Sequence, residues 1–142
     1  MRAVSEVGDP MMPAALGILS GVTSCNGKVV LCGGTQMAAV LALSHAMGID
    51  GDISIATTKY IVEDKSANFV EMVKSLDRRY YVSDPGLERS RLPPIQTFAQ
   101  GYVKEGVGAG GAAYAAGVYG IDQQRLIEET DRVLLTVELP KR

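Results

Sequence analysis

At 142 residues the chain has the length of one domain, enough to bury roughly two-thirds of the surface its unfolded form exposes. Hydrophobic residues make up 46% and charged residues 21%, a globular composition, and the net charge of -2 leaves no electrostatic footprint for a nucleic-acid backbone or an anionic membrane. Small-molecule ligands are the better expectation. No apolar run reaches the roughly 20 residues of a membrane span, and Cys25 and Cys32 sit in no metal-type or CxxC spacing, so both read as reduced core thiols of a cytoplasmic protein.

Gly8-Asp9-Pro10 leads into a helix whose natural first residue is Pro13, because a proline there loses no helical hydrogen bond. Gly8 and Asp9 then form a tight entry to a helix N-terminus, a candidate substrate loop; the plain alternative is Asp9 as a capping residue. Val29 to Cys32 is a continuous apolar run, the pattern of a parallel strand covered on both faces. Gly33 and Gly34 end it, Thr35 is suited to cap the next helix, and Met37, Val40, Leu41, Ser44 and Met47 share one helical face before Gly48 stops it. A glycine turn between a strand's carboxyl end and a helix's amino end is a place for a phosphate or carboxylate, or simply a tight turn.

Ile53 to Ala56 predicts a second buried strand, with polar Thr57, Thr58 and Lys59 collecting at its end. Lys59 can pair with an anionic substrate or stand as a solvated charge. Ser66 to Leu76 predicts an amphipathic crossover helix through Phe69, Val70, Val73 and Leu76, and Tyr80 to Val82 a third strand whose tyrosines pack between sheet and helix. Residues 83–94 read as a surface loop with Arg89 and Arg91 exposed. Helices are then expected over 95–103, 112–119 and 122–137, the last with Leu126, Ile127, Val133, Leu134 and Val137 facing inward, an edge strand over 133–139 being the alternative to its final turn. His45, the single histidine, reads as surface or packing.

Alternating strands and helices specify an α/β fold, a Rossmann-like parallel sheet flanked by helices with a helical C-terminal part. Residues 1–92 form the α/β portion and 93–142 the helical segment. Three strands make an unusually small parallel sheet, so an incomplete domain is expected, with further strands before Met1. Between the late helices lies Lys104-Glu105-Gly106-Val107-Gly108-Ala109-Gly110-Gly111. Its four glycines cost conformational entropy that a backbone needing unusual dihedrals or room for a ligand would justify, and a carboxylate held in such a turn becomes a usable base when desolvated. The plain alternative for Glu105 is a surface carboxylate paired with Lys104 or solvent.

The order of the segments GDPMMPAALGILSGV, KVVLCGGTQMAAVLALSHA, ISIATTKYIVED and GYVKEGVGAGGAA resembles the C-terminal portion of the nicotinate-nucleotide-dimethylbenzimidazole phosphoribosyltransferase family, in its archaeal-type branch. The resemblance implies a Rossmann-like homodimer that moves the phosphoribosyl group of nicotinate mononucleotide onto a benzimidazole-like base, releasing nicotinate and giving the α-ribazole phosphate of cobamide lower ligands. It implies Glu105 as the base that takes the heterocycle's proton. The glycine turns Gly8, Asp9, Gly33, Gly34 and Thr35, together with Gly106, Gly108 and Lys59, become candidate substrate contacts, with no cofactor and no metal. Family members are more than twice as long, and their N-terminal half supplies a further substrate loop and part of the base pocket. The chain is expected to act as a homodimer or beside such a half.

Overall fold

In the computed structural model the described residues are 9–101 and 108–137. Three parallel strands in the order β1-β2-β3 form the sheet: β1 Lys28–Cys32, β2 Asp52–Thr58 and β3 Arg79–Ser83. Helices α1 Met11–Ser24 and α2 Thr35–Ala46 precede β2. Between β2 and β3 come α3 Lys59–Glu63, a 3-10 turn Lys65–Ala67 and α4 Phe69–Ser75. After β3 follow a second 3-10 turn Leu87–Arg89, α5 Pro93–Ala99, α6 Ala109–Val118 and α7 Gln123–Thr136. The expected α/β architecture with a parallel sheet is what the chain adopts.

Side chains alternate across a sheet, so each face has its own set. Leu31, Ile53 and Ile55 join Leu16, Leu19, Val40, Leu41, Phe69 and Val73 in the main core, which α1, α2 and α4 close from one side. Tyr80 meets Phe69 edge-on there, with ring centroids 5.8 Å apart. The other face, where Cys32, Ala56 and Tyr81 are register neighbours, is covered by α6: Tyr114 stacks on Tyr81 at 4.5 Å. The two tyrosines of β3 thus pack on opposite faces, the sheet-helix role their sequence predicts.

Several local expectations are corrected. Helix α1 starts at Met11, ahead of Pro13, because the first-turn N-H groups lack intrahelical acceptors and Pro13 forfeits nothing there. Gly34, one residue before Thr35, is the cap position of α2. At its other end the helix closes as expected: Gly48 has φ +68°, and Ile49 N-H bonds the Ser44 carbonyl at 2.9 Å, a left-handed glycine stop. Strand β1 is a sheet edge that α6 covers only in part, so Cys32 stays exposed instead of becoming a core thiol, and Cys25 is exposed too. The crossover helix expected from Ser66 is broken by Asn68 at φ 51°, leaving α4 to bury Phe69 and Val73. Helix α5 starts at Pro93 and ends at Ala99, before a left-handed Gly101. In α7, Asp122 caps as expected, accepting Arg125 N-H at 2.8 Å, yet only Ile127 and Asp131 are buried. Val133, Leu134, Leu135 and Val137 are exposed because no described element covers that end.

Candidate functional site

The chain's two ends of the sheet differ in kind. At the amino ends of the strands Arg78 bonds Asp50 at 2.6 Å and Arg79 reaches Asp52. Glycine turns and buried hydroxyls gather at the carboxyl ends, the usual ligand edge of an open parallel sheet.

At that edge, β1 runs into Gly33, whose N-H bonds the Ala56 carbonyl of β2 at 3.1 Å. Gly34 supplies no capping side chain to α2, and both glycines are buried. Helix α6 arrives over the same strand tips from the opposite face. It begins three residues earlier than its sequence predicts, so Gly110 and Gly111 belong to its first turn. Their reason is contact rather than unusual dihedrals. A Cβ on Gly110 would stand 2.1 Å from the Thr57 carbonyl carbon, and one on Gly111 would stand 2.0 Å from Cys32 Sγ. Gly108 lies just outside, 4.0 Å from the Cys32 carbonyl oxygen by the same measure. The late glycine cluster and the Gly33-Gly34 turn, 74 residues apart in sequence between Gly34 and Gly108, therefore meet at the ends of β1 and β2.

Asp9 stands just ahead of α1, whose last turn lies beside the start of β2: a Cβ built on Gly51 would stand 2.6 Å from Thr23 Cγ2. Asp9 is exposed, and its Oδ1 accepts Met11 N-H at 2.7 Å, a local turn ahead of a helix whose cap position is Pro10. Thr35 is exposed at the first position of α2. Gly8, Glu105 and Gly106 lie outside the described residues.

Lys59 follows β2 directly and is already matched by two carboxylates. Its Nζ bonds Glu88 Oε1 at 2.8 Å and Asp84 Oδ2 at 2.9 Å, while Tyr60 donates its hydroxyl to the other Glu88 oxygen and accepts Leu87 N-H at 3.0 Å. The Glu88 and Asp84 hydrogen bonds hold the Lys59 ammonium above its ordinary range, and burial, then the Glu88 bond, pushes the Tyr60 phenol up. Burial alone would raise the Glu88 carboxyl, but the Lys59 and Tyr60 hydrogen bonds outweigh it and bring it down to about 2. The sequence offered no signal for this cluster, because Asp84 and Glu88 sit in a stretch whose composition reads only as surface loop. The cluster fixes the loop after β3 to the start of α3. Beside it, Tyr60 and Phe98, edge to face at 5.8 Å, line a cleft of about 320 Å³ with Ile61, Glu63 and Asp64.

A second tie holds α5. Asp131 of α7, 6% exposed, accepts the Ser90 hydroxyl and Arg91 N-H, the latter at 2.8 Å, and Ser90 Oγ in turn accepts Leu92 N-H at 3.0 Å. The Ser90 bond, then the Arg91 N-H, holds the Asp131 carboxyl below its ordinary range.

Among the described residues no helix is long and apolar enough to cross a membrane. No family model matches the chain. Curated proteins do. The UPF0284 protein of Methanosarcina mazei is 47% identical over 135 residues, covering 94% of this chain and 39% of its own length. That of Thermococcus onnurineus is 42% identical over 142 residues, covering 97% of this chain and 42% of its own. That of Pyrobaculum calidifontis is 41% identical over 136 residues, covering 94% and 40%. The chain is thus similar over nearly its whole length to archaeal proteins named UPF0284, and spans about two-fifths of the length of each of these three relatives.

Proposed function

We propose that this chain is part of a phosphoribosyltransferase that moves the phosphoribosyl group of nicotinate mononucleotide onto 5,6-dimethylbenzimidazole or a similar base. The observation that carries this reading is the meeting of the Gly33-Gly34 turn with the first turn of α6 at the carboxyl ends of β1 and β2. Attack of a ring nitrogen on ribose C1 needs the two rings aligned, the phosphate held and one proton accepted in a water-poor pocket. Gly33, Gly34 and Gly108 offer close-approach backbone for the phosphoribosyl group. Glu105 is the proton acceptor in this reading: it precedes Gly108 by three residues, a stretch of chain that spans at most about 11 Å. Lys59 serves the site by holding the loop after β3, its charge being taken up by Asp84 and Glu88. The reading includes a cytoplasmic protein that pairs, either with its own copy or with a separately supplied portion. The exposed Val133, Leu134, Leu135 and Val137 at the end of α7 favour such a partner, since neighbouring apolar side chains are costly to leave in water.

The test follows nicotinate release from the mononucleotide and dimethylbenzimidazole. The chain is assayed alone and with the portion of the Methanosarcina mazei relative that it does not match. Turnover is expected with both pieces present, and Glu105→Gln should lower it 10²- to 10⁴-fold, as removal of a general base does. Release undiminished in the variant, or failure of the paired pieces to bind the mononucleotide at millimolar concentration, refutes the reading.

A further inference from the structure

Thr57 and Thr58 are the last residues of the central strand, both fully buried, and neither hydroxyl has a hydrogen-bond partner among the described residues. Buried polar groups are nearly always paired, because leaving one bare forfeits its hydration for nothing. Two adjacent exceptions at one strand tip call for a cause. Thr58 makes the case sharper, for it occupies the cap position of α3 in extended backbone (φ -92°, ψ 156°), where a threonine ordinarily accepts a first-turn N-H, and it makes no such bond.

Strand alternation splits the pair across the tip. Thr57 shares the face of Ile55, toward α2, and Thr58 shares the face of Ala56, toward α6. The two features converging on this tip are the ones already described: Gly33 bonded to the Ala56 carbonyl, leading to an α2 start that no side chain caps, and Gly110 seated on the Thr57 backbone. Among the described residues the other fully buried polar side chains, Ser44 and Ser90, have their partners. The two without one are the two that border the uncapped glycine turn.

We propose that Thr57 and Thr58 are phosphate-binding residues, donating their hydroxyl hydrogens to oxygens of a phosphate monoester that lies across the tip of β2 against the Gly33-Gly34 turn. This rests on the reading that the turn seats a phosphorylated substrate. The hydroxyls supply neutral donors where Lys59 is already committed to two carboxylates. Both are shielded, and the elements beside them put little side chain in the way: Gly33 and Gly34 ahead of α2 on the side of Thr57, and Gly108, Ala109 and Gly110 in the first turn of α6 on the side of Thr58.

Valine has nearly the shape of threonine without the hydroxyl, so it separates the two roles. The experiment is calorimetric titration of inorganic phosphate and of nicotinate mononucleotide into the chain, its Thr57→Val/Thr58→Val double variant and the Thr57→Ser/Thr58→Ser double variant, each also unfolded in urea. Removal of two uncompensated hydroxyls should leave the urea midpoint of the valine variant equal or higher. Its affinity for phosphate should fall at least about 10-fold, as loss of bonds to a charged acceptor predicts, while the serine variant keeps affinity within about threefold. Phosphate affinity within twofold in the valine variant, with an unchanged or raised midpoint, overturns the proposal and marks the hydroxyls as served by internal water. No phosphate or mononucleotide binding by the parent chain overturns it as well. Threonine-dependent phosphate binding without mononucleotide binding sustains these two residues and removes the phosphoribosyl reading; mononucleotide binding indifferent to the valines does the reverse.

Discussion

Replacing Gly110 with alanine tests the seating of α6 on the strand tips, and its cost follows from one distance. The new methyl would stand 2.1 Å from the Thr57 carbonyl carbon and 2.5 Å from its Cα and oxygen, all backbone atoms of the central strand that no rotamer change can move. Carbon atoms rest about 3.5–4.0 Å apart, so the helix must lift by about 1.5 Å. Overpacking of this kind costs about 1–3 kcal/mol, and the upper end applies because backbone faces backbone. Alanine regains about 1 kcal/mol of helix propensity, leaving a net loss of about 2 kcal/mol. Gly117 lies in the same helix with nothing within 4 Å of a built Cβ, so Gly117→Ala should instead gain about 0.5–1 kcal/mol. Urea unfolding reads the contrast: at typical slopes of about 1–3 kcal/mol per molar, the two midpoints should separate by about 1–3 M in opposite directions from the parent. If both alanines stabilise, α6 does not lie on β2 as described, and the meeting of the two glycine segments is lost with it.

Asp131→Ala should destabilise by about 3 kcal/mol, because it strips an ionised acceptor from the buried Ser90 hydroxyl and from Arg91 N-H; a loss under about 1 kcal/mol in urea unfolding would show that α5 is held by other means. Acid should loosen the loop after β3. Glu88 is lowered in the folded chain to about 2 from an ordinary carboxylate value of 4.5, so its share of stability is present above about pH 4.5 and drains away as pH falls toward 2. Lys59→Met should therefore be less stable than the parent at pH 7, by about 1 kcal/mol or less for so exposed a cluster, and indistinguishable from it near pH 2. A stability gap that persists unchanged down to pH 2 would contradict that assignment.

The sequence by itself settled what local chemistry controls. Apolar runs next to glycine marked the first two strands and a tyrosine pair the third, the Gly48 stop and the Asp122 cap ended and began their helices, and strand-helix alternation gave a parallel sheet. The candidate turns at Asp9, Gly33 and Gly108 were legible because glycine, or a turn-forming aspartate, at an element boundary has few other uses. What the pattern could not decide was who meets whom across long separations. That Gly110 and Gly111 are spacers between a helix and two strand tips depends on contacts with Thr57 and Cys32, more than 50 residues away, and looks in sequence like an irregular loop. The same holds for Lys59, whose partners Asp84 and Glu88 arrive only once β3 is laid beside β2, and for Thr57 and Thr58, ordinary strand residues until burial removes their water. Periodicity reports which side of an element faces inward. Burial without a partner, and charge already spent on a neighbour, are properties of the packed chain alone.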